Sequence, residues 1–221
     1  MPRRRSLLHC TALLALAAGA SGWPHRVVAA ATAAGAARIL VVGDSLSAEY
    51  GLQRGSGWVA LLEKRLMKEG IPTSVVNASI SGDTTAGGRS RLPALLRAHE
   101  PSIVILELGG NDALRGLPLD SSRANLAAMA HAAAAVGARV LLLGMQVPPN
   151  YGRQYSEQFT GLFVEVARAE RAALVPFLLK GIADGPKAEA MFQADRIHPI
   201  AAAHPIILAN VWPVLRPLLK S

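Results

Sequence analysis

The chain is poor in cysteine: one, Cys10, in 221 residues. That excludes a disulfide framework and any multi-cysteine metal site. Aromatic residues are scarce at 5% and charged ones modest at 17%, yet 51% of the residues are hydrophobic, which excludes intrinsic disorder. Glycine and proline, at 20 and 14, are too few for a fibrous repeat. No acidic residue precedes Asp44. The apolar run from Ser6 to Ala20 carries His9 and Thr11 and falls short of the ~20 residues needed to span a bilayer.

What the N-terminus does contain is Arg3, Arg4 and Arg5 followed by that short Leu/Ala-rich run and then small residues. The order fits a secretory signal peptide, over about residues 1–30, with cleavage after Ala20 or near Ala30. Arg4-Arg5-Ser6-Leu7-Leu8 is compatible with a twin-arginine signal and equally with an ordinary Sec one. The expected destination is the periplasm or the medium. Residues 1–30 hold four of the 23 Lys+Arg and none of the 15 Asp+Glu, so a net +8 becomes 19 − 15 = +4 after removal. Much of the basic excess is therefore targeting, and with no basic–aromatic stripe a nucleic-acid partner is not expected. Cys10 would leave with the same segment.

From Arg38 onward short apolar runs alternate with amphipathic stretches. Ile39–Val42, Thr73–Ala78, Ile103–Leu108, Arg139–Met145 and Leu174–Phe177 read as strands. Trp58–Glu69, Arg89–His99, an alanine-rich stretch capped by Asp120–Ser122 and running to about Val136, Tyr155–Arg171 and Ala201–Leu219 read as helices. Strands alternating with helices predict a three-layer α/β domain with a five-stranded, mostly parallel sheet. Residues 31–221 form one domain on this reading. Roughly 190 residues suffice for a single core.

Parallel sheets bind ligands at the carboxyl ends of their strands, and the unusual polar residues sit there. Asp44-Ser45 follows the first strand, Ser81-Gly82-Asp83 the second, and Gly109-Gly110-Asn111-Asp112 the third. A serine needs a base to become a nucleophile. Of the histidines, His198 is best placed, because Asp195 three residues earlier can hold one ring nitrogen while the other faces Ser45. Gly82 and the Ser45 amide can bring backbone N–H groups to a developing oxyanion, and Asn111 a side-chain amide. His99, His131 and His204 are expected on helix surfaces. Each feature alone has a duller explanation as a cap or turn; their joint placement does not.

These residues stand in four blocks: Gly43-Asp44-Ser45-Leu46-Ser47, Ser81-Gly82-Asp83, Gly109-Gly110-Asn111-Asp112 and Asp195-Arg196-Ile197-His198-Pro199. In order and spacing they resemble the GDSL, or SGNH, hydrolases, in particular the bacterial periplasmic thioesterase I/lysophospholipase/arylesterase group. The resemblance implies a flavodoxin-like α/β/α sandwich, an acyl-enzyme mechanism without metal or cofactor, and acyl esters or thioesters as substrates. It implies Ser45 as nucleophile, His198 as base, Asp195 as its orienter, and Ser45, Gly82 and Asn111 as oxyanion donors. Four positions depart from the usual pattern: Glu49 for a small residue, Arg196 for Gly, Ile200 for Asn and His204 for Gln. Leu114, Leu117 and Tyr151, in loops near the site, are candidates for an acyl groove. A monomer without a membrane anchor is expected. A carbohydrate or peptidoglycan O-acetylesterase is the rival enzyme reading, and a non-catalytic lipid-binding protein the rival of another class.

Overall fold

The computed structural model describes residues 37–220; the predicted signal segment lies outside them. Five strands form one sheet: β1 (Ala37–Gly43), β2 (Thr73–Asn77), β3 (Ile103–Glu107), β4 (Arg139–Leu143) and β5 (Ala173–Val175). Their order is β2-β1-β3-β4-β5, and all pairs are parallel. Between them run α1 (Trp58–Lys68), α2 (Thr85–His99), α3 (Gly110–Leu114), α4 (Leu119–Ala135), α5 (Arg153–Ala169) and α6 (His204–Leu218). Helices α1 and α6 pack together, and α2, α4 and α5 pack together, giving the predicted three layers.

The central strands are apolar because both faces are covered. Ile39–Val42 and Ile103–Leu106 are all buried. Trp58 from α1, and Phe159 and Phe163 from α5, fill the two sides of the sheet as its largest buried side chains. The strand order reverses between β1 and β3, the place where such sheets open a crevice.

The helix starts differ from the sequence reading for physical reasons. Helix α2 begins at Thr85, not Arg89, because the Thr84 hydroxyl accepts the Gly87 N–H at 3.2 Å and caps it. Gly88, within the first turn, is a close-packing residue: a Cβ there would lie 2.3 Å from Leu108 Cδ1. Asp120–Ser122 do not cap α4, which starts at Leu119 after Pro118. Ser122 is buried in its first turn instead, donating its hydroxyl to Asp112 at 3.1 Å. The final helix is preceded by a separate 3-10 turn, Ala201–Ala203.

Candidate active site

Strand β1 ends at Gly43, and the chain turns sharply through Asp44 and Ser45. The Asp44 carbonyl accepts the N–H groups of Ser47 (3.3 Å) and Ala48 (2.9 Å), and its Oδ1 accepts the Leu46 N–H (3.0 Å). Those three bonds leave the Ser45 N–H without a partner among the described residues. The β2 turn is tied to the same point, since the Ile80 N–H donates to the Gly43 carbonyl at 3.0 Å. Arg91 reinforces it by donating to Asp83 and to the carbonyls of Ala78 and Gly43. Gly82 adopts φ 79°, which favours glycine, and its N–H is likewise unpartnered among the described residues. Arg115 donates to the Gly82 carbonyl, in the next peptide along, at 2.8 Å.

From the other side, the loop before the 3-10 turn brings up His198. Its Nε2 lies 2.8 Å from Ser45 Oγ, and its Nδ1 lies 2.6 Å from Asp195 Oδ2. Asp195 Oδ1 accepts the N–H groups of Ile197 (2.9 Å) and His198 (3.0 Å), so the carboxylate holds its own loop as well as the ring. These bonds, that of the His198 N–H foremost, lower the Asp195 pKa to about 2. Asn111, at the start of α3, donates one Nδ2 hydrogen to Asp44 Oδ2 at 2.9 Å, beside Ser45. Ser45, Gly82, Asn111, Asp195 and His198, singled out in the sequence, are thus brought to one end of the sheet by three strand ends and one loop.

The acyl-groove candidates are not joined to this constellation by any hydrogen bond or ring contact. Leu114 and Leu117 are exposed at and beyond the end of α3, and Tyr151 stacks on Tyr155 with centroids 5.9 Å apart. Tyr50, which sequence reasoning passed over, lies against the His198 ring instead, with centroids 4.3 Å apart. Its signal was position, five residues after Ser45. Gln193 was also missed: its side-chain amide donates to the carbonyls of Tyr50 (3.0 Å) and Pro199 (3.2 Å), binding the histidine loop to the serine turn. Nothing in the spacing announces it.

His204 corrects an expectation. It is buried, not on a helix surface, and its Nδ1 accepts the Trp58 N–H at 3.0 Å. Helix α6 turns this face onto α1, so the imidazole takes up the N–H of the first residue of α1. Burial lowers its pKa, opposed by the Glu49 charge. His131 is exposed as expected, while His99 is half-buried in the last turn of α2.

Two other departures acquire reasons. Glu49 accepts the N–H groups of Gly55 (3.0 Å) and Gly57 (2.7 Å), organising the loop that leads into α1. Arg196 adopts φ 57°, a conformation that explains why glycine is usual there. Nothing in the structure explains Ile200. Among the described residues, no group of three His, Cys, Asp or Glu side chains is placed to hold a metal ion.

A serine hydroxyl, an imidazole and a carboxylate in line at the switch point of a parallel sheet define a serine hydrolase. The sequence profile of the GDSL-like lipase/acylhydrolase family matches residues 41–206. Esterase TesA of Pseudomonas aeruginosa is 56% identical over 186 residues, covering 84% of this chain and 91% of that protein. Thioesterase 1/protease 1/lysophospholipase L1 of Escherichia coli K12 is 40% identical over 188 residues, covering 85% and 88%. The crystal structure of the psychrotrophic esterase EstA from a Pseudoalteromonas species, inhibited by monoethylphosphonate, superposes with a TM-score of 0.77 at 38% identity, covering 83% and 99%. The chain belongs to the GDSL-like lipase/acylhydrolase family and is a hydrolase of acyl esters.

Proposed function

We propose that Ser45 is the nucleophile of an exported esterase and thioesterase that works through an acyl-enzyme. The observation that carries this reading is the line Asp195–His198–Ser45, closed by two hydrogen bonds of 2.6 and 2.8 Å, beside two backbone N–H groups that have no partner among the described residues. Ser45 Oγ attacks the acyl carbon as its proton passes to His198 Nε2. The new oxyanion accepts hydrogen bonds from the N–H groups of Ser45 and Gly82 and from the second Nδ2 hydrogen of Asn111. Asp195 keeps the proton on Nδ1 and balances the imidazolium. Collapse expels the alkoxide or thiolate, which takes the proton from Nε2, and water repeats the sequence to release the acid. Because His198 must start neutral, kcat/KM should rise with pH as the imidazole loses its proton.

Acyl thioesters, lysophospholipids and aryl esters are the proposed substrate classes, in keeping with the names of the relatives, two of which are the thioesterase 1/lysophospholipase L1 and an arylesterase of Vibrio mimicus. Exposed Leu114 and Leu117 follow Asn111 closely and are the proposed seat of the acyl chain. Hydrolysis of p-nitrophenyl esters from acetate to palmitate, with an acyl-CoA beside them, tests this. An optimum at medium or long chains is expected. Activity confined to acetate would move the reading to an O-acetylesterase, and none at all to a lipid-binding protein.

The charge and order of residues 1–30 support export to the periplasm or medium, with residues 31–221 as the mature enzyme. No helix among the described residues is long and apolar enough to cross a membrane. N-terminal sequencing of the chain recovered outside the cytoplasm should begin just after Ala20 or near Ala30; a start at Met1 would contradict the assignment.

A further inference from the structure

Beneath the serine turn lies an arrangement that the relay itself does not use. Glu107 ends β3 and is fully buried. Its Oε2 accepts the Ser47 hydroxyl at 2.7 Å and the Asp44 N–H at 3.2 Å, while Oε1 has no hydrogen-bond partner among the described residues. The Asp44 carboxyl, itself buried, lies within side-chain hydrogen-bonding reach of the Glu107 carboxyl. Asp44 in turn accepts the Leu46 N–H and the Asn111 amide. Gly43 makes room for the Ser47–Glu107 hydrogen bond, since a Cβ there would stand 2.8 Å from Glu107 Oε2 and 2.9 Å from Ser47 Oγ.

No lysine or arginine among the described residues forms an ion pair with either carboxyl. Arg91, which reaches the Gly43 carbonyl, is committed to Asp83, and Arg115 to the Gly82 carbonyl. Two carboxyl groups this close in a dry interior cannot both be ionised, and a hydrogen bond between them requires a proton.

We propose that Glu107 is a positioning residue that holds this proton and donates it to Asp44, fixing the carboxylate that aims the Asn111 amide at the reaction centre. The environments differ in the required sense. Asp44 accepts hydrogen bonds from the Leu46 N–H and the Asn111 amide, both of which favour its ionised form. Glu107 is the more deeply buried and faces the Asp44 charge, so its carboxyl stays neutral well above the usual range, whereas Asp44 is raised to about 6. The inference rests on the reading of Asn111 as an oxyanion donor.

The test is a set of four variants, Glu107→Gln, Glu107→Ala, Asn111→Ala and the double Glu107→Ala/Asn111→Ala, with kcat and KM on one p-nitrophenyl ester and thermal unfolding of each. Glutamine keeps a neutral donor for Asp44 and an acceptor for Ser47, so its kcat should stay within about threefold of the parent, a small fraction of the ~10²–10³ that an oxyanion donor is worth. Glu107→Ala should lower kcat by roughly tenfold or more with KM little changed, yet cost less than about threefold when Asn111 is already alanine. A Gln variant as impaired as the Ala variant, or independent effects of the two sites, would overturn the proposal. Asn111→Ala with full turnover would instead overturn the oxyanion reading, and this proposal with it. Where Glu107→Ala does not fold, infrared difference spectra of the parent against Glu107→Gln at neutral pH decide. A neutral carboxylic acid C=O band in the parent only is expected, and its absence would contradict the assignment.

Discussion

Each of the perturbed acids and bases at the site carries its own dependence of stability on pH. Asp195 is lowered to about 2, so its contribution is present above the unfolded carboxyl range, near pH ~4, and is lost as pH falls toward 2. Its partial exposure keeps that contribution small. Asp44 and Glu107 are raised, which reverses the sign. The unfolded chain gives up these protons near pH ~4 while the folded one retains them, so the stability they support is full below pH ~4 and declines as pH rises through about 6 for Asp44. His204 is lowered, so the folded state is weakened as pH falls below the ordinary histidine range. Tm measured against pH should therefore fall on both sides of an intermediate maximum. Glu107→Gln should gain on the parent as pH rises; a constant difference would show that Glu107 does not titrate in this way. Of these residues only Asp195 was assigned a part by sequence reading, because the Asp-x-x-His spacing lets a carboxylate reach its own histidine. Glu107 reads in sequence as the polar end of an apolar strand. Its partners, Asp44 and Ser47, lie some sixty positions away and are supplied by the pairing of β1 with β3.

At the scale of elements, the start of α1 shows how this fold couples helix ends to the site. Gly57 brings no capping side chain. Its own N–H is taken by the Glu49 carboxylate and the Trp58 N–H by His204 Nδ1. The Trp58 indole then donates to Ser47 Oγ at 3.1 Å, and Ser47 to Glu107. A buried chain of hydrogen bonds thus runs from His204 on α6 through Trp58 and Ser47 to the Glu107 carboxyl beside Asp44. His204→Gln, with an amide oxygen for Trp58, should keep stability within about 1 kcal/mol. His204→Ala leaves a buried N–H unsatisfied and should cost about 1–3 kcal/mol by denaturant unfolding. Equal stability of the two variants would show that the bridge contributes nothing. Strands β1 and β3 were legible from their unbroken apolar runs, which only a doubly covered strand carries. The first turn of α2 was not, because Gly87 and Gly88 are there for close packing against Asp83 and Leu108. Helix α3, with only five residues, offers no periodicity to read.

The whole molecule places its chemistry where a parallel sheet with this strand order opens. Ser45, Gly82 and Asn111 lie beyond the ends of β1, β2 and β3, the three strands that meet around the switch point, and the loop before α6 returns with Asp195 and His198. Strand–helix alternation predicts the three layers but not this order, in which β1 pairs with both β2 and β3. Leu114 and Leu117, proposed to seat the acyl chain, were read from loop position, because exposed loop residues carry no periodicity to read. Tyr50, against the His198 ring, comes from the serine turn itself. The central claim is that ester hydrolysis passes through Ser45, and the most direct measurement is kcat/KM of Ser45→Ala beside the parent on one p-nitrophenyl ester. Turnover should be lost while the thermal unfolding transition is retained. A folded Ser45→Ala protein that hydrolyses the ester as fast as the parent would contradict the account.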